Sequence, residues 1–292
     1  MDYSFPRYLA AKQTVDDRAL NAHVWQTLRA VLPPGPLDVL EVGAGTGTMV
    51  DRLERRGLLA SGGRYTAIDA DPHNMVEAGW RLRARPLPVG LELEAADVYT
   101  FAQREKGRRA WDLLIAHAFL DLVDAPRLLP DLLALLRPGG LFYFTINFDG
   151  LTAVEPPVDP GFDELVIDLY HRTMDERLVD GRPAGDSRSG RHLLWQIPVS
   201  GGEILAAGPS DWVVLPQRGG YPADEAYFLR HILHFFETSL DGRPELDPGR
   251  FSRWLVQRRA QIDAGELIFI AHQLDVCGRM GPASSIQYSV GQ

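Results

Sequence analysis

The stretch Glu41-Val42-Gly43-Ala44-Gly45-Thr46-Gly47-Thr48 sets three glycines at alternate positions between an apolar run and an amphipathic one. Where a strand passes into a helix, such glycines leave a main chain that a ligand can approach closely at the mouth of a sheet. Two cofactor chemistries use this kind of turn. A dinucleotide-binding turn has a glycine at the sixth position of its pattern, so that helix and strand close around a pyrophosphate; here Thr48 holds that position. Glu41, directly before the turn, suits a cationic ligand better than a pyrophosphate, which favours a sulfonium cofactor. For proton transfer the candidates are His117, His171, His192, His231, His234 and His272. His231 and His234 lie three apart on one expected helix, but with no clear third ligand they fall short of a metal site. The single cysteine, Cys277, leaves neither an internal disulfide nor a thiolate cluster.

The flanking pattern must position this turn. Leu37 to Val42 reads as a strand and Met49 to Arg56 as a helix, with Gly57 as its C-terminal cap. Tyr65 to Ile68 is the next strand, and Asp71-Pro72 supplies an N-cap and first-turn proline for the following helix, which leaves Asp69 available to a ligand. Leu91 to Ala95, Trp111 to Ala116 and Leu141 to Ile146 read as three further strands, with a leucine-rich helix from Asp124 before the last. Strands alternating with helices imply a parallel, doubly wound sheet. Ahead of it, Asp16 to Leu32 reads as one helix ending at Pro33-Pro34-Gly35-Pro36. Beyond Asn147 the pattern loosens. Residues 162–174 read as helix, 180–191 as a Gly, Arg and Ser-rich loop, 204–215 as strand, 223–240 and 248–264 as helices, and 267–276 as a last strand.

The ordered motifs of residues 37 to 150 resemble those of class I S-adenosylmethionine-dependent methyltransferases, with Glu41 to Gly47 similar to the family's first motif. The resemblance implies a Rossmann-like, doubly wound α/β sheet of seven strands, mostly parallel with a reversed last strand, plus a helical lid or insertion. It implies S-adenosyl-L-methionine as cofactor, held by Glu41, Gly43, Ala44, Gly45, Gly47, Asp69, Ala70, Asp97, Val98, Ala116 and His117. Asp69 stands where the family's acid takes the ribose hydroxyls, Asp97-Val98 where it contacts adenine, and Ala116-His117 beside the methionine part; His117 is also the candidate catalytic residue. The expected organisation is a helical lid over 1–36 and a methyltransferase domain over 37–292, with a substrate-specificity insertion around 217–264.

The expected activity is methyl transfer to a small molecule by in-line displacement. The alternatives are a nicotinamide-dependent oxidoreductase and a non-catalytic cofactor-binding regulatory protein. Aromatic Tyr3, Phe5, Tyr8, Tyr170, Trp195, Trp212 and Tyr221 are candidates for a substrate lid, and Arg182, Arg188, Arg191 and His192 for anion binding. A net charge of -9 argues against a nucleic-acid partner, whose affinity would rest on neutralised phosphates. The start lacks a signal-peptide pattern and no apolar run is long enough to span a bilayer, so a cytoplasmic protein without a membrane partner is expected. The apolar stretch 227–236 marks a candidate homodimer interface.

Overall fold

Three short helices open the chain in the computed structural model, which describes residues 3–84, 86–179 and 181–281; the ends of the expected 1–36 and 37–292 segments, at residues 1–2 and 282–292, lie outside it. They are α1 (Phe5–Ala11), α2 (Gln13–Ala19) and α3 (Ala22–Val31). The one helix expected over 16–32 is thus two, because Asn21 takes extended backbone and its side chain caps α3 by accepting from the N–H of Val24.

The alternating core follows as β1 (Asp38–Val42), α4 (Thr48–Arg55), β2 (Arg64–Asp69), α5 (Pro72–Arg83), β3 (Gly90–Ala95), α6 (Val98–Glu105), β4 (Trp111–His117), α7 (Ala125–Leu133) and β5 (Leu136–Glu155). β5 runs well past Ile146, since the last strand of the chain pairs with it antiparallel from Leu141 to Glu155. Residues 137–140 bulge out of its pairing with β4, whose register jumps from Trp111↔Leu136 to Leu113↔Leu141. The second half supplies α8 (Pro160–Asp175), a hairpin of β6 (Leu178–Val179) and β7 (Arg182–Pro183), α9 (Ser189–Val199), β8 (Gly202–Pro209), β9 (Trp212–Val214), α10 (Glu225–Leu240), α11 (Pro248–Ala264) and β10 (Ile268–Met280). Much of the expected loop over 180–191 is therefore hairpin and helix start.

The main sheet runs β3-β2-β1-β4-β5-β10-β8, seven strands, with the short β9 added alongside β10. β3 to β5 are mutually parallel; β10, the last strand, is reversed and lies antiparallel between β5 and β8. Alternate residues of the central strands feed two opposite cores. Leu113, Ile115 and Tyr143 pack with α3, α4 and α5 residues such as Leu28, Val50 and Ala78, while Leu114, Ala116 and Phe144 pack with α6, α7 and α9 residues such as Phe101, Leu132 and Leu193. A third core joins α1, α8, α10 and α11 through Tyr8, Val166, Phe228 and Trp254 and seats them against Phe269 of β10. At roughly 1.5–3 kcal/mol per buried large side chain, these layers hold the strand ends that form the site. The apolar stretch 227–236 is largely spent on this third core: Tyr227, Phe228, Leu229, Ile232, Leu233 and Phe236 are buried within the chain. Among the described residues, no helix is long and apolar enough to cross a membrane.

Candidate cofactor and active site

The strand order reverses at β1, which pairs with β2 on one side and β4 on the other. In open parallel sheets, ligands bind outside the carboxyl ends of the strands at such a point. A cavity of about 890 Å³ lies there. Its walls include Glu41, Gly43, Ala44 and Gly45 after β1, Asp69 and Ala70 after β2, Asp97 and Val98 after β3, and His117 at the end of β4. Nine of the eleven cofactor residues expected from the sequence thus meet at one cavity. Gly47 and Ala116 do not border it. Ala116 points into the opposite core, and a Cβ at Gly47 would meet Leu82 of α5 at 2.7 Å, so this glycine serves helix packing.

The glycine turn needs its glycines. Gly43, Gly45 and Gly47 take φ of 64°, 54° and 76°, a left-handed region costly to other residues. A Cβ on Gly43 would come within 2.2 Å of the Phe119 ring, and one on Gly45 within 3.2 Å of Leu9. The turn is therefore roofed by a residue that follows β4 and by one from α1, and the cradle is a space that side chains would fill.

Asp69 ties this turn together. One carboxylate oxygen accepts the Gly45 N–H at 2.8 Å, and the other accepts the Asp71 N–H at 2.9 Å and the Asn74 side-chain amide at 3.1 Å. Asp71 caps α5 by accepting from the His73 N–H at 2.9 Å, as its place before Pro72 requires. Asp97 does double duty, facing the cavity while its Oδ1 caps α6 through the N–H and hydroxyl of Thr100. Glu41 is buried, and burial pushes its carboxyl up to about 8, against the opposing pull of the Tyr65 hydroxyl donated at 2.7 Å and of Arg52.

His117 borders the cavity, yet both ring nitrogens are taken up by the protein. Nδ1 lies 2.7 Å from the Thr145 hydroxyl; Nε2 lies 3.0 Å from Asp16 and 3.1 Å from Arg52. Burial first, and Arg52 second, lower its pKa to about 4, so the ring is neutral near pH 7. This geometry makes His117 a strut between the sheet and α2, with no nitrogen turned to an acceptor. Asp16 is the hub of that strut. Burial alone would raise its carboxyl, but Lys12 at 3.3 Å, His117 and Arg52 at 3.3 Å prevail and hold it well below the usual carboxylate range; Trp212 of β9 also donates to it at 2.9 Å.

Sequence reasoning missed this hub, because its members are scattered from residue 12 to residue 212 and carry no motif. It also missed Leu9 and Lys12 of the N-terminal segment, Val179 and Pro183 of the hairpin and Ala184 after it, all of which border the cavity, whereas Phe5 and Arg182, both singled out from the sequence, border it as well. Conversely, among the described residues nothing from 217–264 reaches it; that segment buttresses α1 instead. Of the proposed lid aromatics, Phe5 reaches the cavity, Tyr8 and Tyr170 pack against the third core, and Trp212 serves Asp16. The other histidines are engaged away from the cavity: His171 with Thr152, His192 with Asp186, His272 with Asp211, and His231 and His234 stacked on Tyr8 and Tyr3.

Residues 40–142 match a family model described as a methyltransferase domain. No curated protein matches the chain. Among solved structures, a protein of Anaeromyxobacter dehalogenans assigned provisionally as a type II methyltransferase shares 21% identity, with 89% of this chain and 96% of that one covered at a TM-score of 0.53. The cyclopropane synthase MmaA2 of Mycobacterium tuberculosis follows at 8% identity, 88% and 83% coverage and a TM-score of 0.48. Magnesium protoporphyrin IX methyltransferase of Synechocystis PCC 6803, solved with the demethylated cofactor, gives 16%, 72% and 83%, and 0.44. At these identities the first likeness carries the fold alone, and the other two carry no argument. The family match identifies residues 40–142 as a methyltransferase domain, set in a sheet whose last strand is reversed.

Proposed function

We propose that this chain binds S-adenosylmethionine in the cavity at the carboxyl ends of β1 to β4 and methylates a small molecule there. The observation that carries the reading is the convergence of the left-handed glycine turn, Asp69 and Asp97 on one cavity from three successive strands. The donor set fits the cofactor: Gly43 and Gly45 admit it against the main chain, Asp69 keeps an acceptor site for a ribose hydroxyl on the oxygen that takes only the Gly45 N–H, and Asp97 with the Val98 N–H suits the edge of adenine. When bound, the cofactor supplies an electrophilic methyl on a sulfonium leaving group.

What the chain's own residues do is hold and exclude. Orientation of two reactants can account for roughly 7–11 kcal/mol of a barrier, so the site needs walls more than it needs a base. Neutral His117, fixed by Thr145 and Asp16, keeps the end of β4 rigid beside the reacting centre. Helix α1 acts as the lid, with Leu9 over Gly45 and Phe5 at the cavity wall.

The test is transfer of labelled methyl from S-adenosylmethionine to a broad panel of small phenols, carboxylic acids, amines and thiols. Label in an acceptor supports the reading. Tight cofactor binding without transfer to any class would favour the non-catalytic alternative.

A further inference from the structure

The cavity is electrically polarised. Carboxylates of Asp69, Asp71 and Asp97 line the end formed by β2 and β3, the end assigned above to the adenosyl group. Arg127 belongs to that end too, its guanidinium lying over the Tyr99 ring of α6 at 5.1 Å. The opposite wall is formed by α1, the turn after β4 and the β6–β7 hairpin; apart from Asp124, which ends that turn beside Tyr99 and Arg127, its charged groups are Lys12 and Arg182.

Those two cations differ. Lys12 is buried and spent on Asp16 at 3.3 Å. Arg182 is exposed at the mouth, and among the described residues no carboxylate lies within ion-pair distance of it. Its neighbours in sequence are committed elsewhere: Arg191 donates to Asp149 at 2.8 Å and His192 pairs with Asp186 at 2.7 Å. Around Arg182 the mouth is apolar. Phe5, Leu122 and Val179 all border the cavity, yet remain 45%, 44% and 57% exposed. Large apolar side chains left open to water beside a concave wall mark a surface meant for an apolar ligand. A guanidinium beside them presents a planar fork matched to carboxylate or phosphate oxygens.

We infer that the methyl acceptor is a molecule with an apolar body and one anionic head group, the body seated against Phe5, Leu122 and Val179 and the head paired with Arg182. This rests on the function proposed above and narrows its substrate class. The hairpin that supplies Val179 and Arg182 lies outside the family match at 40–142.

The test is calorimetry on protein saturated with S-adenosylhomocysteine, titrated with phenylacetate, phenyl phosphate and phenylacetamide, which share an apolar body and differ in the head. At least one anion should bind about tenfold more tightly than the amide, the scale of a charge-assisted hydrogen bond. Arg182→Gln should shrink that preference below about threefold, Arg182→Lys should retain part of it, and Arg188→Gln, outside the cavity, should leave it intact. Which anion is preferred names the head group. Equal binding of amide and anions, no binding of either anion, or a preference that survives Arg182→Gln would overturn the inference. S-adenosylhomocysteine affinity is read first in the same experiment, so a failed cofactor site registers separately from a failed anion preference.

Discussion

Asp16 and His117 lie 101 positions apart in sequence, and the Asp16 carboxylate sits 3.0 Å from the His117 Nε2. This contact fastens α2, and with it the lid helix α1, to the end of the central strand β4. Arg52 of α4 and Trp212 of β9 meet the same carboxylate, so one buried side chain joins four elements.

Breaking a buried ion pair by removing one partner strands the other charges, at a cost of about 3–5 kcal/mol. Asp16→Ala should therefore lower stability by that order in urea unfolding, and should weaken cofactor binding as the lid loosens. Stability within about 0.5 kcal/mol of the parent, the range of an ordinary surface change, would show that the hub is not holding the lid.

The pKa of His117 is lowered from 6.5 to about 4, so the unfolded chain binds its proton more readily than the folded one does. Its contribution to stability is therefore present above pH 6.5 and is lost as pH falls towards 4. His117→Gln should flatten that limb of the stability profile. A limb of unchanged slope in the variant would assign acid lability elsewhere.

Glu41 has the opposite sign. Its carboxyl is raised from 4.5 to about 8, so it is protonated in the ligand-free protein at pH 7 and its contribution to stability is lost as pH rises through 8. A cationic ligand beside it favours the carboxylate, so S-adenosylmethionine binding at pH 7 should release protons, visible as a dependence of binding heat on the buffer's ionisation heat. Glu41→Gln should abolish the release. Binding without proton release in the parent protein would contradict this placement.

The glycine turn divides into two roles. Gly45→Val should prevent cofactor binding by filling the cavity wall, whereas Gly47→Ala should cost stability, roughly 1–2 kcal/mol for a left-handed alanine before its contact with Leu82. Asp69→Ala should leave the protein folded and weaken cofactor binding about tenfold or more, since it removes charged acceptors and the clamp on Gly45. Normal binding by both Gly45→Val and Asp69→Ala would make the turn structural only.

Much of the first half was legible because its signals are local. Strand period, caps such as Asp71 before Pro72, and the spacing of Gly43, Gly45 and Gly47 need no knowledge of distant residues. The helix α9 was hidden because Gly190 and Pro198 interrupt a pattern in which only Leu193 and Ile197 of the five buried residues are large and apolar. The split between α2 and α3 at Asn21 was hidden under a continuous apolar period through Leu20 and Val24. The Asp16 hub was not legible at all: Lys12, Arg52, His117, Thr145 and Trp212 acquire their roles only when the fold brings them together. For the same reason His117 read as a proton-transfer candidate until both of its nitrogens could be traced.

The central claim is that this cavity takes S-adenosylmethionine. Calorimetry of the purified protein with S-adenosylmethionine, S-adenosylhomocysteine and NAD, side by side, tests it most directly. The account predicts binding of the first two and none of the third; preference for NAD would contradict it and show that a dinucleotide turn tolerates Thr48 at its sixth position.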